Sequence, residues 1–217
     1  MDWEAHAARA ERRFADGRGR LPDDGDARQK QLVRIAMAAG TAGLARLMQG
    51  RGDEAAEWLE RSAESYRASW DGAPPGSWGR PIGALKALVI AGDVTVAVEA
   101  AEWTLALEPA ESDSPIACYA AALASLVLAL DDDAAALAGR LGSDPSFPEA
   151  TAGAVGALAT RDVARYREAV SAVLADFESR TSFLEDLPVA DTVLVLEALA
   201  ERRGMAVRPR SALLPSP

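Results

Sequence analysis

The sequence predicts an all-α fold, with about nine or ten helices stacked as antiparallel hairpins in a tetratricopeptide-like solenoid or a bundle. Three observations predict it. Apolar residues recur at i, i+3, i+4 and i+7 through most of the chain, which is the helical period. Strand patterning is nearly absent; Val193-Leu194-Val195-Leu196 is the one β-like run, inside a segment of about 15 residues that reads as helix. Turns recur as well: Gly52-Asp53 and Gly92-Asp93 lie 40 residues apart and each opens an amphipathic segment, while Asp131 and Arg161-Asp162 play similar parts at shorter spacing. Imperfect periods of this kind suggest stacked hairpins, although the full tetratricopeptide pattern is not present. The expected organisation is one all-helical domain over 1–217, with an irregular tail at 205–217.

The elements follow in order. Residues 2–16 read as a first helix with Trp3, Ala7, Ala10 and Phe14 on one face, and the breaker-rich segment 17–26 ends it. A long helix over 26–49 carries Leu32, Ile35, Ala36, Ala39, Gly43 and Leu47 on its inner face. Gly40 and Gly43 each cost about 1 kcal/mol against alanine there, so close approach of another helix is expected, with a kink as the alternative. Asp53 is placed to cap the next helix, whose inner face is Ala56, Leu59, Ala63, Tyr66 and Trp70; Glu57 and Arg61 form a favourable i,i+4 pair on its outside.

Segment 70–81, WDGAPPGSWGRP, is the one rigid aromatic loop, and Pro74, Pro75 and Pro81 argue against helix in it. Trp70, Trp78 and Arg80 make it the candidate binding site, since loops with tryptophan and arginine form recognition surfaces; the alternative is that both tryptophans plug the base of the bundle. Residues 83–107 read as a helical hairpin about Gly92-Asp93, and the stripes of the second helix (Val94, Ala97, Val98, Ala101, Leu105 beside Val96, Ala100, Trp103, Leu107) call for neighbours on several sides.

Ser114-Pro115 opens the next helix in N-cap then N1 order, with Ile116, Tyr119, Ala120, Leu123, Val127 and Leu130 on one face. Asp131, Asp132 and Asp133 start a short helix ending at Gly142, and 149–160 forms another. Asp162 caps a helix with the stripe Val163, Tyr166, Val170, Val173, Leu174 and Phe177. The last helix is expected over 188–203, with Gly204 as a left-handed C-cap.

Composition narrows the function classes. Hydrophobic content of 49% suits a packed core. No run reaches the roughly 18 apolar residues of a membrane span; the uncharged segment 115–130 is alanine-rich and reads as a buried core helix. A formal charge of −10 disfavours nucleic acid and anionic membranes as partners and is compatible with a basic protein. One cysteine and no apolar leader at the N-terminus predict a cytoplasmic protein.

Catalytic constellations are not legible. His6 is the single histidine, and Cys118 lies in an apolar helical segment where a thiolate is disfavoured. Together they do not make a zinc site. Asp131–Asp133 is a candidate divalent-cation site, for which helix N-capping is the alternative, and Glu185-Asp186 is a candidate pair of acids that helix N-terminal stabilisation also explains. No phosphate-binding or nucleophile-elbow motif occurs. The expectation is therefore no catalytic residue, no metal and no cofactor.

RDVARYREAVSAVLADFESR at 161–180 and VLVLEALAERRGMAVRPRSALLP at 193–215 resemble the last two helices and closing tail of an all-helical immunity protein family of bacterial polymorphic-toxin systems, immunity protein family forty-nine. AAGTAGLARL at 38–47 and ALKALVIAGDVTVAVEAA at 84–101 are similar to its first long helix and a middle hairpin. The chain departs from the pattern at 70–81 and at Leu213-Leu214-Pro215, where an aromatic residue would precede the final Leu-Pro. The resemblance implies a protein that binds a cognate toxin and blocks it by occlusion. The residues alone leave two alternatives: a tetratricopeptide-like scaffold for peptides, and a small-molecule-binding protein or enzyme using the 70–81 loop.

Overall fold

The computed structural model describes residues 1–216 and is all-helical, with no strand among the described residues. It divides into two compact units. The first comprises 1–92, 181–189 and 210–217, and the second 93–180 and 190–209. The first boundary falls in the Gly92-Asp93 turn, where Gly92 has φ +91° and Asp93 accepts hydrogen bonds from the amides of Thr95 and Val96.

The first unit contains α1 (Trp3–Gly19), α2 (Gly25–Met48), α3 (Gly52–Ala68) and α4 (Gly79–Ala91), each packed on the next. The close approach expected at the α2 glycines is present. A Cβ on Gly43 would lie 2.7 Å from Leu59 Cγ and 3.0 Å from the Ala55 carbonyl, and one on Gly40 would lie 3.2 Å from Ser62 Oγ. The Ser62 hydroxyl donates across this contact to the Ala36 carbonyl at 2.8 Å, so α3 seats directly on the α2 backbone. Phe14 of α1 meets Trp58 of α3 edge to face.

Two local expectations are corrected in this unit. Asp53 is inside the first turn of α3 rather than at its N-cap, which is Arg51. Pro81 lies within α4, at its third residue, because the first-turn amides of a helix have no partner inside the helix and a missing one costs nothing there.

The second unit contains α5 (Val94–Ala106), α6 (Pro115–Val127), α7 (Asp131–Gly142), α8 (Glu149–Ala159), α9 (Val163–Ser179) and α10 (Asp191–Glu201). Consecutive helices from α5 to α9 pack on one another, and α10 lies against α8 and α9. Its enclosed helix is α6, where every residue from Ala117 to Val127 is buried. Alanine at five of these positions lets neighbouring helices approach closely. Helix α5 was expected to need cover on several sides. Instead it buries only Ala97, Ala100, Ala101 and Thr104, and leaves Val94 and Val96 exposed. Its alanine face is matched to a helix neighbour; Val94 and Val96 are not.

Short connections join α6 to α7 and α8 to α9, and both are built the same way. Ala129 and Arg161 adopt left-handed φ of 57° and 56°. The following amides, of Leu130 and Asp162, reach back to the carbonyls of Ser125 and Ala157, the pattern of a left-handed helix cap. The last helix is shorter than expected, starting at Asp191, and Gly204 after it has the anticipated left-handed φ of 69°.

Candidate functional site

The 70–81 loop lies in the first unit. Arg80, at the second residue of α4, is buried. Its guanidinium donates to the Ser69 carbonyl at the end of α3 and to Gln29 Oε1 on α2. A cation on the last carbonyls of a helix is favourable, and burial lowers the Arg80 pKa from its ordinary value. The side chain thus ties α2, α3 and α4 together, with its donors directed inward. Trp70 and Trp78 are half-buried, their ring centroids 5.4 Å apart and tilted by 42°. Gly83, one turn on, leaves room for Tyr66: a Cβ there would fall 2.6 Å from the ring.

A second ion-pair centre in the same unit was not singled out from sequence. Arg46 is buried on α2 and donates to Glu4 Oε2 and Glu11 Oε1, each at 2.7 Å, with Glu54 Oε2 3.6 Å away. Burial works against its charge, but the hydrogen bonds to Glu11 and Glu4 outweigh that and raise its pKa. Spacings of 35 and 42 residues carry no local signal.

His6, Arg9, Ala10 and Arg13 of α1, Thr41 of α2, and Glu185 and Asp186 line a cleft of about 300 Å³. Glu185 and Asp186 are not at the start of α10, as expected, but in a short 3₁₀ turn, Leu184–Asp186, where both have left-handed φ. Arg13 pairs with Glu185, and Arg9 Nη2 lies 3.3 Å from His6 Nδ1. The cleft's charges of opposite sign therefore partly neutralise each other.

In the second unit the chemistry-bearing residues are built into the packing. Cys118 is buried with its Sγ 3.5 Å from the Leu137 carbonyl, and burial raises its pKa. Asp131 accepts from Arg203 at 2.7 Å and from Arg161 at 3.5 Å. No group of three or more histidine, cysteine or acidic residues able to hold a metal ion exists among the described residues. Glu197 accepts from the Tyr166 hydroxyl at 2.7 Å and from the amides of Val207 and Arg208, fastening the chain after α10.

The charge is divided unequally. The first unit holds 15 basic and 15 acidic residues, and the second holds 8 and 18, so the second carries the whole formal charge of −10. No helix among the described residues is long and apolar enough to cross a membrane. Comparison with family models, curated proteins and solved structures finds no match to this chain.

Proposed function

We propose that this chain is a non-enzymatic protein-binding module that docks a basic partner on its acidic second unit, and that its specific role is to neutralise a cognate toxin by occlusion. The segregation of charge carries the reading: an excess of ten acidic residues on one unit is a field that steers a basic protein toward it and repels nucleic acid and anionic lipid. The resemblance of the terminal helices to an immunity protein family supplies the toxin as the partner class. A peptide scaffold is less well supported, because the chain contains no asparagine to hold an extended backbone in a groove.

Two measurements test this. Affinity capture from the native host, with the full chain as bait, should retain a protein rich in lysine and arginine that is released as salt is raised. Recovery of a small molecule with no protein would count against the module. Co-expression with the product of the adjacent gene should restore growth if that product is the toxin; persistent growth arrest would remove the neutralising role.

A further inference from the structure

The cleft lined by α1, Thr41 and the Leu184–Asp186 turn holds polar groups that the fold leaves unused, donors on one element and acceptors on the others. The donors belong to a single face of α1, where His6, Arg9, Ala10 and Arg13 follow at helical spacing and all line the cleft. Arg13 is engaged by Glu185. Arg9 gives Nη2 to His6 Nδ1 at 3.3 Å and makes no other side-chain hydrogen bond among the described residues, so most of its donors are free. An arginine nitrogen can only donate, so His6 Nδ1 accepts and the ring hydrogen sits on Nε2, a further donor.

The acceptors come from α2 and the turn. The Asp186 carboxylate has no hydrogen bond or ion pair among the described residues, although Arg13 holds the carboxylate beside it. Thr41 is 7% exposed, and its hydroxyl gives its hydrogen to the Met37 carbonyl at 2.9 Å, which leaves only lone pairs for a ligand. The backbone of the turn is strained as well. Glu185 and Asp186 hold left-handed φ of 57° and 56° in succession, a conformation that is sterically costly for L-residues. Strain of this kind persists where the surrounding structure enforces it, and it clusters at ligand sites.

We propose that this cleft binds a free α-amino acid, its carboxylate on Arg9 and His6 and its ammonium on Asp186 and Thr41. The lining selects a dipolar ion. Its charged side chains are Arg9, Arg13, Glu185 and Asp186, so a simple anion meets two carboxylates and a simple cation meets two guanidiniums. A ligand that carries both charges satisfies both sets of groups. A volume of about 300 Å³ is at the small end for ligand pockets and suits a molecule of that size better than a nucleotide. The site lies wholly in the first unit, so it is independent of the docking reading for the second.

The probes are the standard L-amino acids, added one at a time to the full chain and read by thermal shift and then by calorimetry. At least one should bind, and acetate and ethylammonium, the two halves of the ligand, should bind about tenfold more weakly or worse. Arg9→Gln and Asp186→Asn should each weaken binding by about tenfold or more. Asparagine tolerates left-handed φ, so the second variant removes the charge and keeps the turn. Arg12→Gln, an exposed change on α1 outside the cleft, should leave binding unchanged. Circular-dichroism melts verify that the three variants remain folded. Binding by none of the amino acids would overturn the proposal. Acetate bound as tightly as the amino acid, with Asp186→Asn unaffected, would make the cleft an anion site and overturn it too. Undiminished binding by both cleft variants would overturn the location. None of these failures bears on the acidic second unit.

Discussion

The two units solve the same packing problem with different materials. The first balances its charges and spends them internally: Arg46 gathers Glu4, Glu11 and Glu54, Arg80 binds the end of α3, and Arg13 holds Glu185. The second surrounds the alanine-rich α6 with apolar helices, buries few charges, and leaves an acidic excess on its surface. Charge that is matched becomes part of the architecture. Charge that is in excess cannot all be matched inside the unit.

The largest effect should come from the apolar unit. Leu123 on α6 is 1% exposed, and Leu123→Ala should cost about 3 kcal/mol by chemical denaturation, from lost burial and the cavity left behind. A cost under about 1 kcal/mol would mean that α6 is not the tightly packed centre.

Next comes the polar unit. Arg46→Met leaves three glutamates facing one another without their shared cation and should cost about 2 kcal/mol, reduced from the figure for a fully buried pair because the glutamates are partly exposed. A stabilised variant would show that the cluster opposes folding, and the contrast between the units would fail.

Tyr119 and Tyr166 sharpen the comparison through pH. Both belong to the second unit, and both phenols have raised pKa values, chiefly through burial, with hydrogen bonding to Glu197 adding for Tyr166 and the charge of Asp191 for Tyr119. A raised phenol pKa means that the folded state holds its proton more tightly. The contribution is complete below the ordinary value of 10 and is lost as pH rises above it. Thermal melts from pH 9 to 12 should therefore fall, and Tyr119→Phe/Tyr166→Phe should flatten the fall. The Tyr119 hydroxyl is buried with no hydrogen-bond partner among the described residues, so Tyr119→Phe alone should stabilise by about 1 kcal/mol at neutral pH.

The smallest effect tests the connections. Ala129 holds a left-handed φ that glycine adopts without strain, so Ala129→Gly should stabilise by about 0.5 kcal/mol, the relief of strain exceeding the added freedom of the unfolded chain. Destabilisation would mean that the alanine methyl makes a contact worth more than the strain.

Particular residues mark how far the sequence could be followed. The Asp162 cap, the Gly92-Asp93 turn and the left-handed Gly204 were legible, because each depends on the residue itself or on neighbours within a few positions, and the close approach at Gly43 was legible because a mid-helix glycine is costly without one. The roles of Arg46 and Glu185 were not. Arg46 looks like any arginine on an amphipathic helix until α1 delivers its glutamates, and Glu185 reads as a helix-start acid until Arg13, 172 residues away, claims it. The candidate loop illustrates the same limit: Arg80 in a loop with two tryptophans suggests recognition, whereas its donors face Ser69 and Gln29.

What the sequence determined by itself is the helical character, the order of the helices and most of their ends, since periodicity, caps and breakers act over one or two turns of chain. Tertiary structure alone decided which cations would be consumed inside, that Val94 and Val96 of α5 would stay exposed, and that the acidic excess would fall on one unit. Those outcomes depend on which distant faces meet. Burial and ion pairing are properties of neighbours in space, and linear spacing does not encode them.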